Sequence, residues 1–361
     1  MELASSGEME SASNNNEQSF GEGPRGDSCF AGPSGTPTAF DELQLSEPYA
    51  ALYRECRLCP RNCGVDRTAG ERGVCGAPAS LRLGRAALHW WEEPCLVGER
   101  GSGAVFFSYC PMHCVYCQNR ALAEGDGIEV PDDQLERLIL RLQNEEHAAN
   151  INLVTPTHYV PHIAWTLARL KAAGALKVPV VYNCSGYESP EALRLLDSLV
   201  DVYLVDFKYA NSKSAKKFSR CADYPQVALA AIRQMIAQVG EWTEDEQSGL
   251  LKRGVIIRHL VLPGHVEDSV AAVRLLCTQL DLHAARLSIM NQFVPVGLGE
   301  EELVRLGLVC KESGQVGVVM PEEYDAVLDV ADALGVYEYF WQEGGANKDS
   351  FIPTFDGTGV R

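Results

Sequence analysis

The chain has no apolar run near the ~20 residues that a helix needs to cross a bilayer. It also lacks a basic start followed by an apolar stretch, so neither secretion nor a membrane partner is expected. An Arg-rich, acid-poor organelle presequence is missing too: residues 1–50 hold one base, Arg25, against nine acids. The expected compartment is cytoplasmic. Basic residues are scarce throughout, 31 Lys and Arg facing 49 Asp and Glu for a net charge of −18. A phosphate-backbone partner would meet repulsion, which argues against nucleic-acid binding. No internal repeat is present, which excludes a solenoid or propeller. What the chain does have is an ordinary globular share of hydrophobic residues, 46%, and thirteen cysteines. In a reducing compartment, clustered cysteines more often bind metal than form disulfides.

The texture changes along the chain. Residues 1–48, rich in Ser, Asn, Gly and acids, read as a disordered acidic tail. A cysteine-rich N-terminal module follows over residues 49–100. From 101 to 340, strand-length apolar runs alternate with helical periodicity, and 341–361 is a Gly-rich irregular tail. The strand runs are 105–107, 151–154, 178–182, 202–207, 255–262 and 286–290; 316–320 is either a seventh strand or an extra element. Helical patterns fill 132–146, 160–173, 190–199, 226–239, 267–280, 300–311 and 322–334. The segment 240–249 reads as an acidic surface loop. Alternation of this kind implies βα units with parallel strands. Six units predict an α/β fold, a partial (β/α)6 barrel like an incomplete TIM barrel, with a doubly wound sheet as the alternative.

The first strand run leads into Cys110-Pro111-Met112-His113-Cys114-Val115-Tyr116-Cys117. Three thiolates at C-x3-C-x2-C spacing converge on a loop too short to pack a core. Four-cysteine iron–sulfur sites are coordinatively full. Three ligands would leave one iron open, as a catalytic metal keeps a position for substrate. A zinc site completed by His113 or a distant cysteine is the plainer alternative.

In parallel α/β folds, functional groups gather at the C-terminal ends of the strands. Here those ends carry Thr155 and Thr157, then Asn183 and Ser185, then Asp206 and Lys208, then Arg258. Each has a structural alternative, a surface ion pair for Asp206 and Lys208 or helix capping for Asn183 and Ser185. Together they suit a polar cosubstrate in a barrel mouth.

With this order the chain resembles the radical S-adenosylmethionine (radical SAM) superfamily. Within it, the chain is similar to pyruvate formate-lyase activating enzyme-like proteins, the glycyl-radical activase type. The resemblance spans about residues 50–345. It implies a four-iron, four-sulfur (4Fe–4S) cluster on Cys110, Cys114 and Cys117, with S-adenosylmethionine on the open iron. It further implies reductive cleavage to a 5′-deoxyadenosyl radical that abstracts hydrogen from a substrate. Tyr116 would lie against the adenine, and Asn183, Ser185 and Asp206 would contact ribose, methionine or substrate. The family's second strand usually ends in a Gly-Gly-Glu type motif for the methionine ammonium. This chain has Thr155-Pro156-Thr157, so Thr155 and Thr157 would accept those hydrogens instead. A flavodoxin- or ferredoxin-like electron donor is implied, with either a glycyl-radical enzyme or a small molecule as substrate.

Cys56, Cys59, Cys63 and Cys75 form a second set at C-x2-C-x3-C-x11-C spacing. Four thiolates can close a tetrahedral zinc site or ligate an auxiliary cluster. Because they precede the first barrel strand, the expectation leans to a structural metal. The competing view of the whole chain is a zinc-stabilised α/β scaffold or binding protein without redox chemistry.

Overall fold

The computed structural model describes residues 44–336, 338–342 and 352–361. Cys29, most of the expected acidic tail and part of the expected C-terminal tail lie outside the described residues. One sheet organises the rest. Its strands are β1 (Arg82–His89), β2 (Ser102–Phe107), β3 (Ile128–Glu129), β4 (Ile151–Val154), β5 (Val180–Cys184) and β6 (Val202–Asp206). They continue with β7 (Thr243–Glu244), β8 (Leu251–Leu260), β9 (Ala285–Met290) and β10 (Tyr339–Phe340). The spatial order is β10-β9-β8-β6-β5-β4-β2-β1-β3, with β7 paired only to β8. From β2 to β10 the neighbours run parallel, whereas β1 and β3 add an antiparallel edge. The fold is therefore the expected partial TIM-like barrel, open between β10 and β3 among the described residues.

The sequence makes this inevitable locally. All six residues of β2 and all four of β4 are buried, and all but Ser102 and Asn152 are apolar, as in strands covered on both faces. Alternate side chains then serve two cores. Outward, Val105, Phe107, Ile151, Leu153, Val180 and Tyr182 meet the helices. The helix Gln134–Asn144 supplies Leu135, Leu138, Ile139 and Leu142 at the spacing of one helical face. Inward, Val181, Val202, Leu204 and Ile256 pack on Leu96, and Ala104, Phe106 and Val154 pack with Leu122 and Phe355.

Those inward partners come from connections. Leu96 belongs to the β1–β2 connection, which enters the concave side of the sheet. Phe355 belongs to the C-terminal stretch, whose Thr358 carbonyl accepts the Ala86 N–H and whose Gly357 N–H donates to the Gly84 carbonyl, both at 3.0 Å. Phe106 and Phe355 meet edge to face, ring centres 5.5 Å apart.

Several boundaries differ from the sequence expectation. β1 lies within the segment read as the cysteine-rich module, yet it pairs along β2. The run 316–320 is not a strand but makes one bridge, Val309 to Val316, before the helix Pro321–Ala333. The acidic 240–249 segment contains β7 and so forms a hairpin with β8. Four short helices, Glu47–Ala50, Pro94–Val97, Arg120–Glu124 and Ser212–Ser219, were not expected.

Candidate active site

β2 delivers the chain to the cysteine loop through Ser108, whose carbonyl accepts from His158 Nε2 at 2.6 Å. Tyr109 then turns with φ 75°, and His113 with φ 48°. Gly125 is required beside this turn, since a Cβ there would stand 2.5 Å from the Tyr109 ring. The Cys117 N–H closes a turn on the Cys114 carbonyl at 3.0 Å. The Val115 N–H reaches the Phe218 carbonyl at 2.8 Å, tying the loop to the end of the helix Ser212–Ser219.

Cys110, Cys114 and Cys117 line one cavity of about 260 Å³. None is in a disulfide. Burial pushes the Cys110 thiol well above its ordinary value, and the charges of Cys114 and Cys117 push it further. Burial and Cys114 likewise raise Cys117, to about 11. Burial and the neighbouring sulfurs thus disfavour the thiolates of Cys110 and Cys117, and a shared cation would favour them. Among the described residues, no three His, Cys, Asp or Glu side chains are drawn tightly enough to enclose a single metal ion. Three thiols on one loop facing one cavity would suit a cluster with one open iron.

The same cavity wall contains Tyr116, Thr155, Thr157, Asn183, Ser185 and Asp206. Thr155 is held in a left-handed turn, φ 59°, by its N–H bond to the Asn183 carbonyl at 2.9 Å. Ser185 does not cap the following helix; Ser189 does, its hydroxyl accepting the Ala192 N–H at 3.2 Å. Thr157 donates to Glu188 at 2.7 Å, and Tyr182 donates to the other carboxylate oxygen at 3.1 Å. Burial lifts the Glu188 carboxyl to about 7 despite these donors.

Beside the cysteines, the strand ends carry a buried ionic network. Arg258 Nε binds Asp206 at 3.0 Å, its Nη1 binds Glu92 at 3.2 Å, and its Nη2 binds the Asn183 side-chain oxygen at 2.6 Å. Lys208 holds the second Asp206 oxygen at 2.6 Å. Burial alone would raise Asp206; Lys208 and Arg258 outweigh it and hold the carboxyl below its usual range. Glu92 also accepts from the Asn152 and Asn183 amides, at 2.9 and 3.1 Å. Burial dominates there, so its carboxyl lies above the ordinary value. Sequence reasoning missed Glu92. It sits in Trp90-Trp91-Glu92-Glu93-Pro94, a run that reads as exposed, and only the entry of that connection into the sheet's concave side brings it to the cavity.

Cys56, Cys59, Cys63 and Cys75 lie apart from the cavity wall. Backbone N–H groups of Val74 and Ala77 point at the Cys63 and Cys75 sulfurs, at 3.3 and 3.5 Å. Burial raises the Cys59 and Cys75 thiols, and their neighbours in the set raise them further, although Arg67 opposes this at Cys75. Among the described residues, the four sulfurs are not closed around a single ion.

The module touches the 110–117 loop and the segment after the helix Ser212–Ser219. Arg61, between Cys59 and Cys63, donates to the Pro111, Ser219 and Arg220 carbonyls at 3.0, 2.9 and 2.8 Å. His113 Nε2 meets the Val74 carbonyl at 2.9 Å. Behind them, Tyr53 bonds His162 at 2.7 Å, and His162 bonds Asp132 at 3.1 Å. The module thus grips the 110–117 loop directly.

Comparison with known proteins gives three results. Over 252 residues the chain is 29% identical to an uncharacterized protein of Methanocaldococcus jannaschii, covering 68% of this chain and 67% of that one. Solved structures with partial likeness include a domain of pyruvate-formate lyase-activating enzyme from Bacteroides vulgatus, at 12% identity over 52% of this chain and 93% of that one, TM-score 0.33. Methylornithine synthase is 13% identical over 74% of this chain and 77% of that one, TM-score 0.40. Residues 104–276, from the first parallel strand through the cysteine loop and on past Arg258, match the model of the Radical SAM superfamily.

Proposed function

We propose that this protein is a radical SAM enzyme whose cluster is held by Cys110, Cys114 and Cys117. The observation that carries the reading is one cavity lined by three unpaired thiols and by polar strand ends. When bound, a reduced 4Fe–4S cluster supplies the electron that splits S-adenosylmethionine into methionine and a hydrogen-abstracting 5′-deoxyadenosyl radical. The chain's own residues do the rest. Lys208 and Arg258 hold Asp206 and Glu92 in place beside the cavity, while the Thr155 and Thr157 oxygens accept from an ammonium. Asn183 is committed to Glu92 and Arg258, so it fixes the network's geometry. Phe106, Leu122 and Val154 on the cavity wall exclude water from the reacting centre. Tyr116 packs against Tyr209, Phe218 and Phe293, which fixes the ring that would flank an adenine.

In this reading the electron donor is flavodoxin- or ferredoxin-like, and the substrate is a glycyl-radical enzyme or a small molecule. The cysteine-rich module binds its own metal through Cys56, Cys59, Cys63 and Cys75. Among the described residues no helix is long and apolar enough to cross a membrane; a cytoplasmic location is part of the proposal.

The test is anaerobic reconstitution, iron and sulfide counting, then dithionite reduction with S-adenosylmethionine and chromatography of the products. Roughly four irons on the three-cysteine site and release of 5′-deoxyadenosine are expected, with both lost when the three cysteines are changed to Ala. A cluster-bearing protein that releases none would overturn the reading. So would a colourless, zinc-loaded protein, the outcome expected of a plain scaffold.

A further inference from the structure

We infer that Ser219 is a positioning residue for the centre on Cys114, one that holds its reduction potential up by donating a hydrogen bond to the ligand sulfur. The inference rests on the cluster assignment proposed above. Ser219 ends the helix Ser212–Ser219, is fully buried, and has its hydroxyl 3.0 Å from the Cys114 sulfur. A ligating thiolate has no proton, so the hydroxyl must be the donor.

The direction of that proton is then fixed by its neighbours. Serine has one hydroxyl hydrogen, and with that hydrogen on sulfur its oxygen can only accept. Tyr209 stands 2.8 Å away and supplies the donor. The Tyr209 oxygen in turn lies 2.6 Å from the Tyr116 hydroxyl, which donates to it. Three buried hydroxyls thus form a one-way chain ending on Cys114, each bond polarising the next.

Ser219 cannot turn away. Arg61 holds its carbonyl, the preceding Phe218 carbonyl holds the Val115 N–H, and Arg220 stops the helix in a left-handed turn at φ 55°. A donor at sulfur favours the more negative state, which is the one that reduction produces. Removing the donor therefore lowers the potential.

The experiment is a redox titration of reconstituted protein without S-adenosylmethionine, following the paramagnetic signal of the reduced cluster. Ser219→Ala should cut the reduction equilibrium constant about tenfold, which for one electron is a midpoint about 59 mV more negative. Tyr209→Phe keeps the serine but removes its polarising donor, so a smaller shift of the same sign is expected. An unchanged midpoint in Ser219→Ala with wild-type iron content overturns the inference. If that variant holds no cluster, an unchanged midpoint in Tyr209→Phe overturns it. A wild-type protein that assembles no cluster at all counts instead against the proposed function, and this inference falls with it.

Discussion

Arg258→Met tests how the ionic network is held. The guanidinium makes three bonds, to Asp206, Glu92 and Asn183, with side-chain exposures of 16% for Arg258, 18% for Asp206 and 8% for Glu92. A surface pair would be worth about 0–1 kcal/mol. Removing one partner of a buried pair costs about 3–5 kcal/mol, because the other charge is left unpaired. Asp206 keeps Lys208, but Glu92 keeps only the Asn152 and Asn183 amides. For a domain of this size the loss lowers the melting temperature by on the order of 10 °C.

The pH dependence has a definite sign. The folded Glu92 carboxyl already lies above its unfolded value through burial, with Arg258 the largest opposing influence. Without Arg258 it rises further, so the native state takes up a proton more readily as pH falls. The variant's deficit should be greatest near pH 8 and smaller near pH 5. Urea unfolding of wild type, Arg258→Met and the double variant with Glu92→Gln measures this, and the double variant should regain part of the loss. A deficit under about 1 kcal/mol at pH 8, or no recovery in the double variant, would refute the reasoning.

Two further outcomes are expected. Cys59→Ser should lower the metal content of the module while leaving the Cys110 centre assembled: zinc falls if the metal is structural, iron by roughly four per chain if it is a cluster. Equal zinc and iron in variant and wild type would show that no such site exists. Glu188 has a folded value of about 7, above its unfolded one, so its neutral form is favoured. Its contribution is fully present below about pH 4.3 and is lost as pH rises to 7, a change of roughly 3 kcal/mol. Glu188→Gln should flatten that slope in thermal melts, and parallel slopes for the two proteins would defeat the assignment.

Much of the barrel was legible because its strands are short apolar runs that end in polar residues. Ile151–Val154 has the expected bounds, and the polar ends from Thr155 to Arg258 reach one cavity because parallel pairing aligns those ends. β1 was not legible: Arg82-Leu83-Gly84-Arg85 interrupts any period-two pattern. The helix Ser212–Ser219 is too polar to announce itself, and its only cue was Asn211, whose side chain accepts the Lys213 N–H at 2.7 Å. Arg61 and Glu92 act across 50 and 166 residues of chain respectively, on Pro111 and with Arg258. No local pattern encodes a contact of that span.

Tyr109, His113 and Thr155 all hold left-handed backbones around the cysteine loop and cavity, and Thr155 is β-branched, the least suited side chain for it. Such conformations cost of order 1–3 kcal/mol each and persist only where the surroundings impose them. Folding has therefore prepaid the bending of this loop. A ligand entering the cavity then meets a loop already bent, so less of its affinity goes into ordering the chain. Association there should resemble docking to a preformed receptor, with selectivity resting on shape and charge alone.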